Sequence, residues 1–230
     1  MYAYVETVSA CAIAVNRRPV YYLYMTRTDI RQKLIQIGSG MIACQGFNNT
    51  GIHAVLCAAG VPKGSFYYYF SSKEDFGLAV IDDFAKAHSK RLEILLNDEA
   101  VSPLRRIRNY FDAGIADMSL YRYARGCPIG NLGQEMAAQN EVFRLRLDAI
   151  FNGWQRQFAQ CLEQARLGGE IAFDSDIERL AEFLLASWEG ATLRAKVTHS
   201  LAPMIVFVEM FFDRVLQKPV VRPVTRTAEI

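Results

Sequence analysis

Residues Asn49–Phe76 read NTGIHAVLCAAGVPKGSFYYYFSSKEDF, and the spacing of small, apolar and aromatic residues in this run decides the fold. Thr50 is placed to cap a short helix with its hydroxyl. Ile52, Val55 and Leu56 then give that helix an apolar stripe. Ala58-Ala59-Gly60 supplies small residues and a glycine able to take the positive φ of a sharp helix-to-helix turn. Pro62 fits the first position of a second short helix, where its missing N–H costs nothing. Two short helices joined by such a turn form a helix-turn-helix, whose second helix enters the DNA major groove.

The second helix, from Pro62 to about Tyr68, carries suitable chemistry. Lys63, Gly64 and Ser65 lie at its N-terminal end, where a cation, close backbone approach and a hydroxyl can meet DNA. Phe66 and Phe70 read as core. Three consecutive tyrosines, Tyr67, Tyr68 and Tyr69, cannot all face inward on one helix, so phenol groups are left to reach phosphate. Lys73 opens the next helix, and His53 in the first is a plausible phosphate neighbour.

The segment AAGVPKGSFYYYFSSKEDF resembles the DNA-binding domain of the tetracycline-repressor (TetR) family of one-component bacterial regulators, a likeness covering roughly residues 28–96. The resemblance implies an all-α homodimer with an N-terminal three-helix helix-turn-helix domain and a C-terminal helical domain for effector binding and dimerisation. It also implies a palindromic double-stranded DNA operator and a small-molecule effector. By position in the motif, Thr50, Lys63, Ser65, Tyr67, Tyr68 and Lys73 inherit DNA contacts. Tyr68 stands where the family often has histidine.

The rest of the chain reads helical throughout. A first helix is expected from about Thr28 to Gly46, a fourth from Lys73 to Leu96, and a fifth from Pro103 to about Ala124. Phe143, Leu147, Ile150, Trp154, Phe158, Cys161 and Ala165 alternate steps of four and three and mark one long amphipathic helix, which Gly168-Gly169 ends. Asp174 or Ser175 is expected to cap the next, and Pro203 to open the last. That last helix is apolar on most faces, so it needs two burial partners, the second most easily another copy of the chain. The expected domains are an extension over 1–25, a DNA-binding domain over 26–74, an effector and dimerisation domain over 75–218, and a tail over 219–230. The extension is expected to be poorly ordered and reads as an upstream segment without function; the alternative is an arm whose Arg17 and Arg18 reach phosphate or the minor groove. Met25 reads as an alternative start.

At 230 residues and 51% hydrophobic the chain can bury a substantial core. Its net charge of +2 leaves any DNA affinity to local clustering. Between Thr26 and Phe76 the cations Arg27, Arg31, Lys33, Lys63 and Lys73 face only three carboxylates. That modest excess suits specific recognition better than charge-driven coating. Five cysteines without metal spacing and without a secretory signal predict reduced thiols in a cytoplasmic protein. No apolar run approaches the roughly 18 residues needed to cross a bilayer, so no membrane partner is expected. Gly38-Ser39-Gly40-Met41-Ile42-Ala43 matches a dinucleotide-binding pattern but lies inside a helical stretch with no preceding strand. No cofactor, metal site or catalytic constellation is read.

A second cluster, Arg125 to Glu135, reads RGCPIGNLGQE. Pro128 at a first helical position makes Cys127 the N-cap, with its sulfur near unpaired N–H groups and Arg125 close in sequence. Such surroundings favour the thiolate; the alternative is a small buried apolar side chain, as most free cysteines are. GCPIGNLGQEM, with SWEGATLRAK at Ser187–Lys196, resembles the acrylate-utilisation branch of the family. A related group, the electrophile-sensing repressors of N-ethylmaleimide reductase, shares a Gly-Cys here and a Gly-Ala-x-Leu-x-Ala-Lys run. That likeness implies Cys127 as sensor and Lys196 as its partner, although the residues after the cysteine side with the acrylate branch. Trp188, Trp154, Tyr110 and Phe111 are candidate pocket walls. The rival reading is a thiol-dependent enzyme, or a redox sensor, using Cys127 without binding DNA.

Overall fold

The computed structural model describes residues 26–216. The extension over 1–25, with Arg17, Arg18 and Met25, and the tail over 219–230 lie outside the described residues. All regular structure among the described residues is helical: α1 (Arg27–Gln45), α2 (Ile52–Ala59), α3 (Phe66–Tyr69), α4 (Lys73–Leu96), α5 (Pro103–Leu120), α6 (Pro128–Met136), α7 (Glu141–Leu167), α8 (Ile177–Thr198) and α9 (Ala202–Met210). The all-α expectation holds. The chain divides into two compact units. One gathers the described residues up to Arg91 and Tyr121–Asn152; the other gathers Leu92–Leu120 and the described residues from Gly153.

In the first unit, Thr26 and Asp29 form a reciprocal capping box at the start of α1. Leu34, Ile35, Ile37 and Ile42 of α1 are buried with Val55, Leu56 and Ala59 of α2. Beneath them Phe66, Phe70 and Phe76 form an aromatic triangle with centroids 5.0 to 5.8 Å apart. Each such ring contributes about 1.5–3 kcal/mol of burial. Gly38, part of the dinucleotide-like run, sits within α1, and a Cβ there would collide with the Phe76 ring. Gly60 ends α2 at φ 70° and ψ 24°, the left-handed conformation that the turn requires.

The second unit centres on rings: Phe111 lies 4.7 Å from Trp188 and 5.1 Å from Phe207, and Tyr110 lies 5.1 Å from Phe158. Gly114 makes room for this cluster, since a Cβ there would stand 2.6 Å from the Trp188 ring. The buried Arg106 donates to the carbonyls of Val101 and Leu96 and to Gln164 Oε1, closing the end of α4 and the loop after it. α9 continues into a wider turn of π type over Phe211–Val215.

Several local expectations are corrected. Thr50 does not cap α2. Gly51 is the N-cap without a side-chain bond, and the Thr50 hydroxyl donates to the Gly46 carbonyl at 2.6 Å, turned back toward the end of α1. Pro62 stands before a 3-10 turn at Lys63–Ser65 rather than inside a continuous helix, and only Phe66–Tyr69 is α-helical. α5 stops at Leu120, not Ala124, because Arg122 and Tyr123 take left-handed φ of 48° and 62°. Asp176, rather than Asp174 or Ser175, caps α8, accepting from the Arg179 N–H at 3.2 Å.

Candidate nucleic-acid interface

The 3-10 turn and α3 carry most of the residues singled out for DNA. Lys63 and Gly64 are exposed, and a Cβ on Gly64 would meet nothing within 4 Å, so this backbone is open to close approach. Burial of Phe66 and Phe70 turns the intervening residues outward: Tyr67 is 72% and Tyr68 59% exposed, while Tyr69 is half-buried. Both phenol groups are therefore open to an outside partner, although the Tyr67 ring also meets Phe66 and the Tyr68 ring meets Tyr69. His53 is exposed on α2.

Other candidates are engaged within the protein. Thr50 is buried and its hydroxyl is committed to Gly46. The half-buried Ser65 donates to the Pro62 carbonyl at 2.6 Å, closing the 3-10 turn. The Lys73 ammonium donates to the Asn48 carbonyl at 3.2 Å and lies over the Phe47 ring.

Two arginines that sequence reasoning counted only as charge join this surface. Arg27 Nη2 donates to the Tyr68 carbonyl at 2.8 Å. Arg31 lies 5.0 Å from the Phe70 ring centroid. A cation in the first turn of a helix opposes the helix dipole, and that mismatch at Arg27 was the available signal.

The residues singled out for the effector divide between the units. Cys127 belongs to the first unit, with the helix-turn-helix; Lys196, Trp188, Trp154, Tyr110 and Phe111 belong to the second. Cys127 is half-buried and caps α6, its Sγ accepting from the Gly130 N–H at 3.4 Å. Arg125 instead lays its guanidinium over the Tyr121 ring at 4.1 Å. Trp154, Trp188, Tyr110 and Phe111 are buried, and Lys196 is half-buried in the last turn of α8. Burial pushes the Cys161 thiol up to about 11. No group of three metal-ligating side chains occurs among the described residues.

Residues 36–80 match the family described as bacterial regulatory proteins, tetR family, and residues 103–211 match the tetracyclin repressor-like C-terminal domain. The HTH-type transcriptional repressor DhaR of Mycobacterium sp. (strain GP1) is 36% identical over 192 residues, covering 84% of this chain and 95% of DhaR. The chain belongs to the tetR family. The transcriptional regulator AcuR of Cereibacter sphaeroides is 39% identical over 180 residues, covering 78% of this chain and 82% of AcuR. The crystal structure of E. coli NemR in its reduced form superposes with a TM-score of 0.75 at 30% identity, covering 84% of this chain and all of that one. The resemblance read around Cys127 therefore holds at the level of relatives. The tetR chain is a DNA-binding transcriptional regulator, not an enzyme. No helix of the described residues is long and apolar enough to cross a membrane.

Proposed function

We propose that this regulator represses transcription by binding a palindromic operator as a homodimer, and that it leaves DNA when a small electrophilic or acrylate-like compound reacts at Cys127. The observation that carries the trigger is the position of Cys127. Its sulfur accepts from the Gly130 N–H at the start of α6, where the helix dipole favours an anion. The buried Cys161 sits in surroundings that hold its thiol protonated. One relative, E. coli NemR, has been crystallised in a form named reduced.

Support for the homodimer comes from one face of α8 and α9. Phe183, Ala186, Gly190, Leu193 and Val197 are all exposed and recur at steps of three and four along α8. Ile205, Val206 and Met210 of α9 are exposed beside them in the same unit. A stripe of this period matches a helix–helix seam, and Gly190 at its middle, with no neighbour within 4 Å of a Cβ, permits close approach. A two-fold pair places the same stripe on both copies and sets two recognition helices for two half-sites.

Fluorescence anisotropy with DNA from the chain's own promoter region tests the reading. A salt-sensitive specific complex is expected, dissociating on addition of acrylate or N-ethylmaleimide, and Cys127→Ser should bind DNA but resist release. Equal release of Cys127→Ser at the same concentration would mean that the compound acts without covalent attack.

A further inference from the structure

Helix α6 ends on a contact that effector chemistry alone does not explain. Both carboxylate oxygens of Glu135 accept from backbone N–H groups of the turn joining α1 to α2. Oε2 takes Phe47 at 2.7 Å, and Oε1 takes Asn48 at 2.6 Å. Lys73 grips the same turn through the Asn48 carbonyl, 3.2 Å from its ammonium, and sits 4.7 Å from the Phe47 ring centroid. An anion on two N–H groups and a cation on a C=O match the polarity of the peptides they hold.

The backbone is shaped for this clamp. Gly46 has φ 83°, and a Cβ there would stand 2.8 Å from Glu135 Oε2, so glycine serves both the conformation and the approach. The Phe47 ring packs 5.3 Å from Phe143, and Gly77 leaves room for both rings. Immediately beyond, Thr50 bonds back to Gly46 and α2 begins at Ile52. The amides at the entry to the helix-turn-helix are thus held by a side chain near the far end of a nine-residue helix that Cys127 caps.

We propose that Glu135 is a positioning residue for DNA binding, transmitting the position of α6 to the helix-turn-helix through the Gly46–Asn48 turn. The proposal rests on the DNA-binding reading for its consequence, but the coupling itself is a property of the folded chain. Cys127 and Glu135 lie at opposite ends of α6, about 12 Å apart at the rise of an α-helix. A displacement at the first turn reaches the Phe47 and Asn48 amides as two lengthened charge-assisted bonds, leaving the turn to Lys73, the Phe47–Phe143 packing and its own local bonds such as Thr50 to Gly46.

Amide hydrogen exchange over Gly46–Thr50 and operator affinity are measured on the full chain for Glu135→Gln, Cys127→Phe and the double variant, with thermal melts verifying folding. Glu135→Gln keeps the shape but removes the charge and one acceptor; Cys127→Phe crowds the first turn of α6. Each single change should speed exchange at Phe47 and Asn48 about tenfold or more, and operator affinity should fall in parallel. The double variant should resemble Glu135→Gln, because both act through one contact. If Cys127→Phe alters exchange within Pro128–Met136 but leaves Phe47 and Asn48 at the wild-type rate, or if the two losses of affinity add, the proposal is overturned. Should Cys127→Phe not fold, Leu132→Ala takes its place by removing a buried side chain from the middle of α6. A wild type with no specific operator complex would sink the DNA reading, while the exchange rates still decide the coupling.

Discussion

Arg27 rests its guanidinium on the ring of Tyr68, 4.3 Å from the centroid, while its Nη2 donates to the Tyr68 carbonyl oxygen at 2.8 Å. The start of α1 is thereby tied to the exposed end of α3. A cation and a phenol share one surface, and the guanidinium has further N–H groups able to meet phosphate.

Arg27→Ala should weaken operator binding about tenfold and lower the salt slope by about one, as for a lost phosphate contact. Because the contact is exposed, thermal stability should change by no more than about 0.5 kcal/mol. Arg27→Lys should recover little, since an ammonium cannot both stack on the ring and keep the fork of donors. Anisotropy titrations at several salt concentrations, beside calorimetry, check all three.

The exposed stripe on α8 makes a sharper target for testing the proposed dimer than the π-type turn after α9 does. Phe212 is half-buried and carries the Arg108 guanidinium 5.2 Å from its ring, so altering it also disturbs the subunit's own packing. Val197 is 64% exposed and can be changed cleanly. Val197→Glu should set like charges against one another across a two-fold seam. Analytical ultracentrifugation should show the dimer weakened, with operator affinity falling alongside because two linked heads bind more tightly than one. A wild type that sediments as a monomer at micromolar concentration would defeat this expectation.

His88 makes stability pH-dependent. Burial, with the Arg91 charge adding to it, holds its pKa down to about 4, and the ring stacks on Phe84 at 5.7 Å. The unfolded chain, with a histidine near its usual 6.5, binds the extra proton first as pH falls. Stability from this group is therefore complete above about pH 6.5 and is lost progressively down to about pH 4, by at most about 3 kcal/mol. Urea titrations from pH 7.5 to 4 should show the loss, and His88→Gln should flatten that part of the profile.

Thiol reactivity should rank Cys127 well above Cys161, whose thiol burial and a backbone contact hold protonated. With N-ethylmaleimide at pH 7.5, peptide mass spectrometry should find Cys127 labelled at least about tenfold faster. Comparable rates at the two positions would remove the reason for treating Cys127 as the trigger.

Legibility in the sequence followed the range of the interaction. Gly60 ending α2 and Cys127 capping α6 involve residues within one helical turn of each other, and both were readable from spacing. The orientation of the tyrosines was readable for the same reason: Phe66 and Phe70 claim one side of a short helix and leave Tyr67 and Tyr68 outside. Thr50 misled because a hydroxyl before a helix can bond forward to the helix or back to the preceding carbonyl, and the loop geometry chose the second.

The sequence by itself determined the helical architecture, the helix-turn-helix and its family, because period, capping and turn chemistry are set by neighbours along the chain. Only the tertiary structure decided that Arg27 lies on Tyr68, 41 positions away, and that Glu135 holds the amides of Phe47 and Asn48, 88 and 87 positions away. Such contacts leave no periodic trace. They form where already folded helices bring a charged side chain within reach of peptide groups left free at a turn, and that meeting depends on packing rather than on local propensity.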